Sequence, residues 1–300
     1  MNRRWLDTFL AWYFVCVWGT GFVATKLGLQ YAAPFTFLSL RFGFGLLCLI
    51  PFALIARPAW PKTPVEVGHI LIAGLLMHAV NLSGSHYAQY LGMSAGIAAL
   101  ILSLQPLLTA LFASRWMHEA LGRRQWLGIG LGLAGVLLVV WHKIDVRAIG
   151  AGSLIAAGTG LVAITSGTLY QRRFCPHVDL NSAAVLQFGA SLAVLLPLAF
   201  AVEGAHVRWA WQLPAAIVFL VIMGSILAVN ALHTLMRHGQ ATRVTSLLYL
   251  TPIVAVILEY FTFDVVPTML TIVGIAITCL GVAMVAWGGT DATEIAEVAD

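Results

Sequence analysis

Charge is what this chain has least of. Lys, Arg, Asp and Glu make up 9% of its 300 residues, where a soluble domain carries roughly a quarter. Hydrophobic residues make up 60%, and the mean hydropathy is +0.92. So little charge cannot cover a water-facing surface, and the chain reads as an integral membrane protein. Short alternating segments of about ten residues, the mark of a transmembrane β-barrel, are missing too. Only four cysteines are present (Cys16, Cys48, Cys175 and Cys279), each in a distant segment and none in a CxxC pair. That leaves no disulfide framework and no metal site to expect, and no cofactor or nucleic-acid partner. HExxH is absent and no paired acids lie mid-membrane, so a membrane-embedded enzyme is the weakest reading. His78 and Ser85, which share a helix face, are all that speaks for it.

What is abundant is apolar sequence in long runs. Charge and proline divide it into ten stretches, at 7–29, 34–56, 65–90, 93–114, 123–141, 149–171, 182–202, 213–236, 241–262 and 266–288. Each suits a spanning helix of roughly 20 residues. Arg3 and Arg4 precede the first run in the manner of a signal peptide, but the run is long and lacks a cleavage site, so it reads as a retained span. With the N-terminus inside, the cytoplasmic segments collect Arg3, Arg4, Arg57, Lys62, Arg115, Arg123, Arg124, Arg172, Arg173, Arg237 and Arg243. The outer side has only Lys26, Lys143, Arg147 and Arg208. This asymmetry puts both termini in the cytoplasm.

One offset aligns separated landmarks. Adding 146 takes Gly21 to Gly167, Pro51 to Pro197, Pro106 to Pro252, Gly128 to Gly274, Gly135 to Gly281 and Trp141 to Trp287. The triplet AVN at 79–81 recurs at 228–230, three positions late, so the third and eighth spans differ by a small gap. The expected organisation is all-α: a five-helix repeat over 1–145, a second over 146–290, and a disordered acidic tail over 291–300. An odd number of spans per repeat inserts the second half from the opposite side, an inverted repeat.

The stretches VWGTGFVATKLGL (17–29) and LQPLLTALFASRWMHEALGRRQWLGIGLGLAGVLLV (104–139), with Arg41 in the second span, resemble the ten-span branch of the drug/metabolite transporter superfamily, the EamA-type exporters. YLTPIVAVILEYFTF, from 249, repeats the proline. The counterpart of Glu119, however, is Val265, with Asp264 beside it, so no mechanism is placed on the glutamate. The resemblance implies an inner-membrane exporter of amino acids, other metabolites or drugs. Its partners would be a small-molecule substrate and membrane lipid, with a monomer as the simplest assembly.

Several side chains stand out. Pro106 and Pro252 follow Gln105 and Thr251 inside apolar runs. A helical proline frees a carbonyl and bends the helix. These bends, with Gly19 and Gly21 in the first span, either line a cavity that flexes or are packing kinks. His78, Asn81 and Ser85 fall on one face of the third span. They either bind a substrate's polar groups or bond between helices. With Trp18, Ser103, Thr165 and Tyr249, His78 and Asn81 make up the candidate substrate cavity. Arg41 and Glu259, at comparable depth, are a candidate ion pair. GLGLAG at 130–135 spells a nucleotide fingerprint, but it sits inside a continuous apolar run and reads as small-residue packing. A carrier of nucleotide-linked metabolites ranks below an amino-acid exporter, because mid-span Lys or Arg is nearly absent. No acid occupies mid-span, which weakens a carboxylate proton relay.

Overall fold

The computed structural model describes residues 3–116, 121–145, 149–228, 230–231, 234–235 and 250–297, and every regular element among them is a helix. In chain order these are α1 (Arg3–Gly28), α2 (Pro34–Ala56), α3 (Pro64–Gly74), the π segment π1 (Leu75–Val80) and α4 (Asn81–Tyr90). There follow α5 (Ala95–Leu102), α6 (Gln105–Trp116), α7 (Arg123–Asp145), α8 (Ala151–Phe174) and α9 (Leu180–Glu203). The last are α10 (Gln212–Val218), π2 (Phe219–Ala228), α11 (Thr251–Phe263) and α12 (Met269–Glu297). Among the described residues, seven stretches are long and apolar enough to cross a membrane, and three shorter ones, Gln212–Ala228, Thr251–Phe263 and Met269–Val285, are apolar.

Local sequence sets the ends of these helices. Pro34 and Pro64 open α2 and α3 in the first turn, where a missing N–H costs nothing. Thr63 and Glu66 close a capping box at α3. Asp179 caps α9, which stops at Gly204 in the left-handed region (φ 68°).

The described helices form two compact units, and neither is one half of the sequence. The first comprises Met1–Val23, Gly92–Gly150 and Ile226–Asp300; the second comprises Ala24–Leu91 and Ala151–Ser225. Each therefore takes helices from both expected repeats.

In lipid the hydrophobic effect gives no drive between helices, so close packing must supply it. In the first unit α7 and α12 meet along glycines. A Cβ on Gly128 would lie 2.5 Å from the Gly281 carbonyl oxygen, and one on Gly281 would lie 2.6 Å from that of Gly128. Gly135 and Gly274 reciprocate at 2.6 and 2.7 Å. Between them Thr278 Oγ1 lies 3.5 Å from the Gly132 carbonyl, across an offset of 146 residues. Any larger residue along this seam forces the backbones apart. Gly19 on α1 has the same role, since a Cβ there would come within 2.6 Å of Val254 on α11.

The second unit packs α2 on α9 around Leu38, Phe42, Ala79, Phe188 and Leu195. The rings of Phe42 and Phe188, again 146 positions apart, meet edge-on at 5.0 Å. Gly84 and Gly160 let α4 and α8 touch backbone to backbone.

Three expectations change. Pro106 and Pro252 are not bends inside continuous helices but lie in the first turns of α6 and α11, where a proline N–H is not needed. The fourth apolar stretch breaks at Ser103-Leu104, so its proline starts a helix rather than deforming one. α12 also continues to Glu297, into the stretch expected as a disordered tail: TDATEIAE contains no proline or glycine to stop it.

Candidate functional site

A column of polar side chains runs through the second unit. Arg41, on α2, donates from Nη2 to Ser225 Oγ over a long 3.4 Å, and its Nε is buried without a partner. Ser225 Oγ donates in turn to the Leu220 carbonyl five residues back, at 3.1 Å, the spacing of a π turn. His78 Nε2 lies 3.2 Å from Gln187 Oε1, and Gln187 Nε2 donates to Gln171 Oε1 at 3.2 Å. A bond to an amide oxygen puts the imidazole proton on Nε2. At the Gln171 end of the column, His69 Nδ1 meets the Tyr170 hydroxyl at 2.7 Å, with the Phe174 ring stacked on His69 at 4.9 Å.

The α4 end is less satisfied. His86 and Gln89 are 2% and 5% exposed, yet no ring nitrogen or amide atom of either has a hydrogen-bond partner of good geometry. Asn81, buried, donates to the Met77 carbonyl at 3.0 Å and leaves Oδ1 unpartnered. Buried polar groups in a native fold are nearly all satisfied, so these atoms are exceptions.

The two π segments belong to this site. His78 lies in π1, and Arg41's partner Ser225 lies in π2. π turns inside helices occur often at functional sites, because the widened turn re-aims side chains and frees carbonyls. Ala79 and Ala228, which begin the two AVN triplets, lie in the last turns of π1 and π2.

Carboxylates in both units serve helix N-termini. Glu203 accepts from Phe35 N (2.9 Å), Thr36 N (2.8 Å), Thr36 Oγ1 (2.8 Å) and the Tyr87 hydroxyl (2.7 Å), tying α2, α4 and α9 together. In the first unit Glu259, 2% exposed, accepts from Ala95 N at 2.8 Å and Gly96 N at 2.9 Å at the start of α5. Both satisfy the exposed N–H groups and positive dipole of a helix start. Within their own units the two residues of the expected Arg41–Glu259 pair have these partners. Glu259 caps a helix of the first unit, and Arg41 bonds Ser225 in the second.

The other sequence candidates divide between the units. His78 and Asn81 belong to the column just described. Thr165, fully buried in the second unit, donates to its own helix at the Leu161 carbonyl (2.7 Å). In the first unit Trp18 packs on Phe14 at 4.7 Å, and Ser103 donates to the Leu100 carbonyl at 2.6 Å. α1 runs as one helix through Gly19 and Gly21. Tyr249 and Glu119 lie outside the described residues. Gln187, Ser225 and Glu203 were not singled out from sequence. A lone Gln or Ser in an apolar run carries no periodic signal, and only tertiary packing shows that it faces Arg41 or His78.

The model of the EamA-like transporter family matches the chain twice, at residues 8–141 and 151–287. The chain belongs to the EamA-like transporter family. Among its relatives is the "Uncharacterized inner membrane transporter YedA" of Escherichia coli K12, 27% identical over 243 residues, 81% of this chain and 78% of that one. Another is the "Probable amino-acid metabolite efflux pump" of Salmonella typhimurium, 27% identical over 263 residues and 85% of both chains. A solved chain described as "Crystal structure of protein" has a TM-score of 0.65 at 21% identity, covering 93% of this chain and 96% of that one, a likeness of fold alone. This EamA-type protein is a multi-pass membrane transporter and not an enzyme.

Proposed function

We propose that this EamA-type transporter exports small organic solutes, amino acids foremost, across the inner membrane by alternating access. The observation that carries the reading is the polar column of the second unit, with its unpartnered buried groups at Arg41, Asn81, His86 and Gln89. Polar groups held dry in a membrane protein are a standing cost unless a ligand completes them. Their mix of donors and acceptors suits a zwitterion or a similarly polar metabolite. The name of the Salmonella relative favours amino-acid metabolites. His78 and Asn81 are proposed as substrate contacts, with Trp18, Ser103, Thr165 and Tyr249 proposed on residue type.

Alternating access rests on ten spans in two inverted halves with cytoplasmic termini. Support comes from reciprocity. Gly128 meets Gly281 while Gly135 meets Gly274, and each of these is the other's counterpart at an offset of 146. Gly132 and Phe42 each meet their own counterparts, Thr278 and Phe188. Contacts of that pattern are what a two-fold axis relating the halves produces.

The test is counterflow in proteoliposomes against a panel of amino acids, with and without a proton gradient. Saturable exchange of at least one amino acid is expected. Failure of the whole panel removes the amino-acid claim, and exchange independent of the gradient removes proton coupling. Exchange of nucleotide-linked metabolites alone would establish the rival carrier reading.

A further inference from the structure

We infer that Arg41 is the seat for an anionic group of the transported solute, a carboxylate, with His86 as its second donor. The inference rests on the proposed reading of this protein as a carrier and adds to it which end of the solute the second unit holds.

The argument begins with the carboxylates of that unit. Its sequence contains three, Glu66, Asp179 and Glu203. Each is committed to a helix N-terminus: Glu66 in the capping box of α3, Asp179 as the cap of α9, and Glu203 on the first turn of α2. The Glu203 oxygens already accept four hydrogen bonds. No acid of the unit therefore neutralises Arg41, whose one hydrogen-bond partner among the described residues is the neutral Ser225 hydroxyl at 3.4 Å.

A guanidinium among spanning helices, with Nε buried and unpartnered, is a donor array waiting for an acceptor of opposite charge. The surroundings match that need. Phe37 and Phe42, on either side of Arg41 in α2, pack against the rings of His86 (5.7 Å) and His78 (6.2 Å). These ring contacts put both imidazoles against the helix segment that carries Arg41. His78 is held by Gln187, whereas His86 has no partner of good geometry, and Gln89 stands one turn further along its face with both amide atoms unpartnered. A carboxylate here would accept from guanidinium and imidazole together, and the Gln89 amide offers both a donor and an acceptor to a neighbouring polar group of the same solute.

The experiment uses the purified full-length protein. Thermal stabilisation and proteoliposome counterflow are measured with L-leucine and L-phenylalanine, their carboxamides, the corresponding amines, and the simple carboxylates benzoate and phenylacetate. In the wild type, molecules carrying a carboxylate are expected to stabilise and exchange, while carboxamides and amines lose roughly tenfold or more in apparent affinity. R41Q should abolish that discrimination. R41K, which keeps the charge without the fork, should retain part of it.

Carboxamides that exchange as well as the amino acids would overturn the anion seat while leaving the exporter reading intact. Benzoate or phenylacetate acting where amino acids do not would overturn the amino-acid reading while supporting the seat. A panel in which no carboxylate stabilises or exchanges overturns the inference. The wild-type comparison of acid with amide decides the matter even where R41Q fails to fold.

Discussion

The two units solve the same problem, packing helices in lipid, with opposite use of polar groups. In the first, glycines bring α7 and α12 into backbone contact, and the buried carboxylate Glu259 is taken up by the amides of α5. In the second, buried side-chain atoms of Arg41, Asn81, His86 and Gln89 find no partner, next to two π segments. Among the described residues, Thr251 is the one residue of the first unit with a buried unpartnered side-chain atom. The difference teaches that both units pack helices closely through glycine, as Gly84 and Gly160 do in the second, but the second also holds most of the buried polar atoms without a partner among the described residues.

The largest expected effect breaks the packing side of the comparison. Gly135→Leu places a side chain against the Gly274 backbone, and overpacking of that kind costs about 1–3 kcal/mol or more. Little folded protein is expected by size exclusion in detergent, and a normal yield would show that the seam can open without cost. Glu259→Ala comes next. Two buried N–H groups of α5 lose their acceptor, at about 1–3 kcal/mol each. A lowered thermal midpoint should be partly restored in Glu259→Gln, which keeps one acceptor oxygen.

Gln89→Leu sharpens the contrast from the other side. Replacing an unpartnered buried amide by an apolar side chain should raise stability by about 1 kcal/mol while lowering counterflow, the trade expected where function keeps a site strained. A fall in the thermal midpoint would mean that the amide is satisfied and the contrast false. The smallest effect belongs to Thr251→Val in the first unit. Its hydroxyl is buried without a partner, so stability should stay within about 1 kcal/mol and transport should not change. A loss of transport there would give the first unit a polar role of its own.

Much of the fold was legible in the residues. The apolar runs located the helices because a span needs length and hydrophobicity above all. The offset of 146 named Gly128, Gly135, Gly274 and Gly281, the residues that meet in the α7–α12 seam. Pro106 and Pro252 stand out as special positions, and they lie in the first turns of α6 and α11. Proline signals a disturbed helix whether it bends one or begins one, and only the break at Ser103-Leu104 distinguishes the two. In the site, His78, Asn81 and Arg41 were visible as polar intrusions into apolar runs, whereas Gln187 and Ser225 gained significance only from what stands opposite them.

By itself the sequence determined a membrane-spanning helical protein, because hydrophobicity and its period act locally and leave little choice of solvent or secondary structure, and its resemblance to the EamA family added transport. Which carboxylate meets which cation was decided by tertiary structure alone. Arg41 and Glu259 looked like a pair on depth and charge. Within the first unit helix packing brings Glu259 to the amides of α5, within the second it brings Arg41 to the Ser225 hydroxyl, and an interaction that falls off with distance depends on where the helices put the groups.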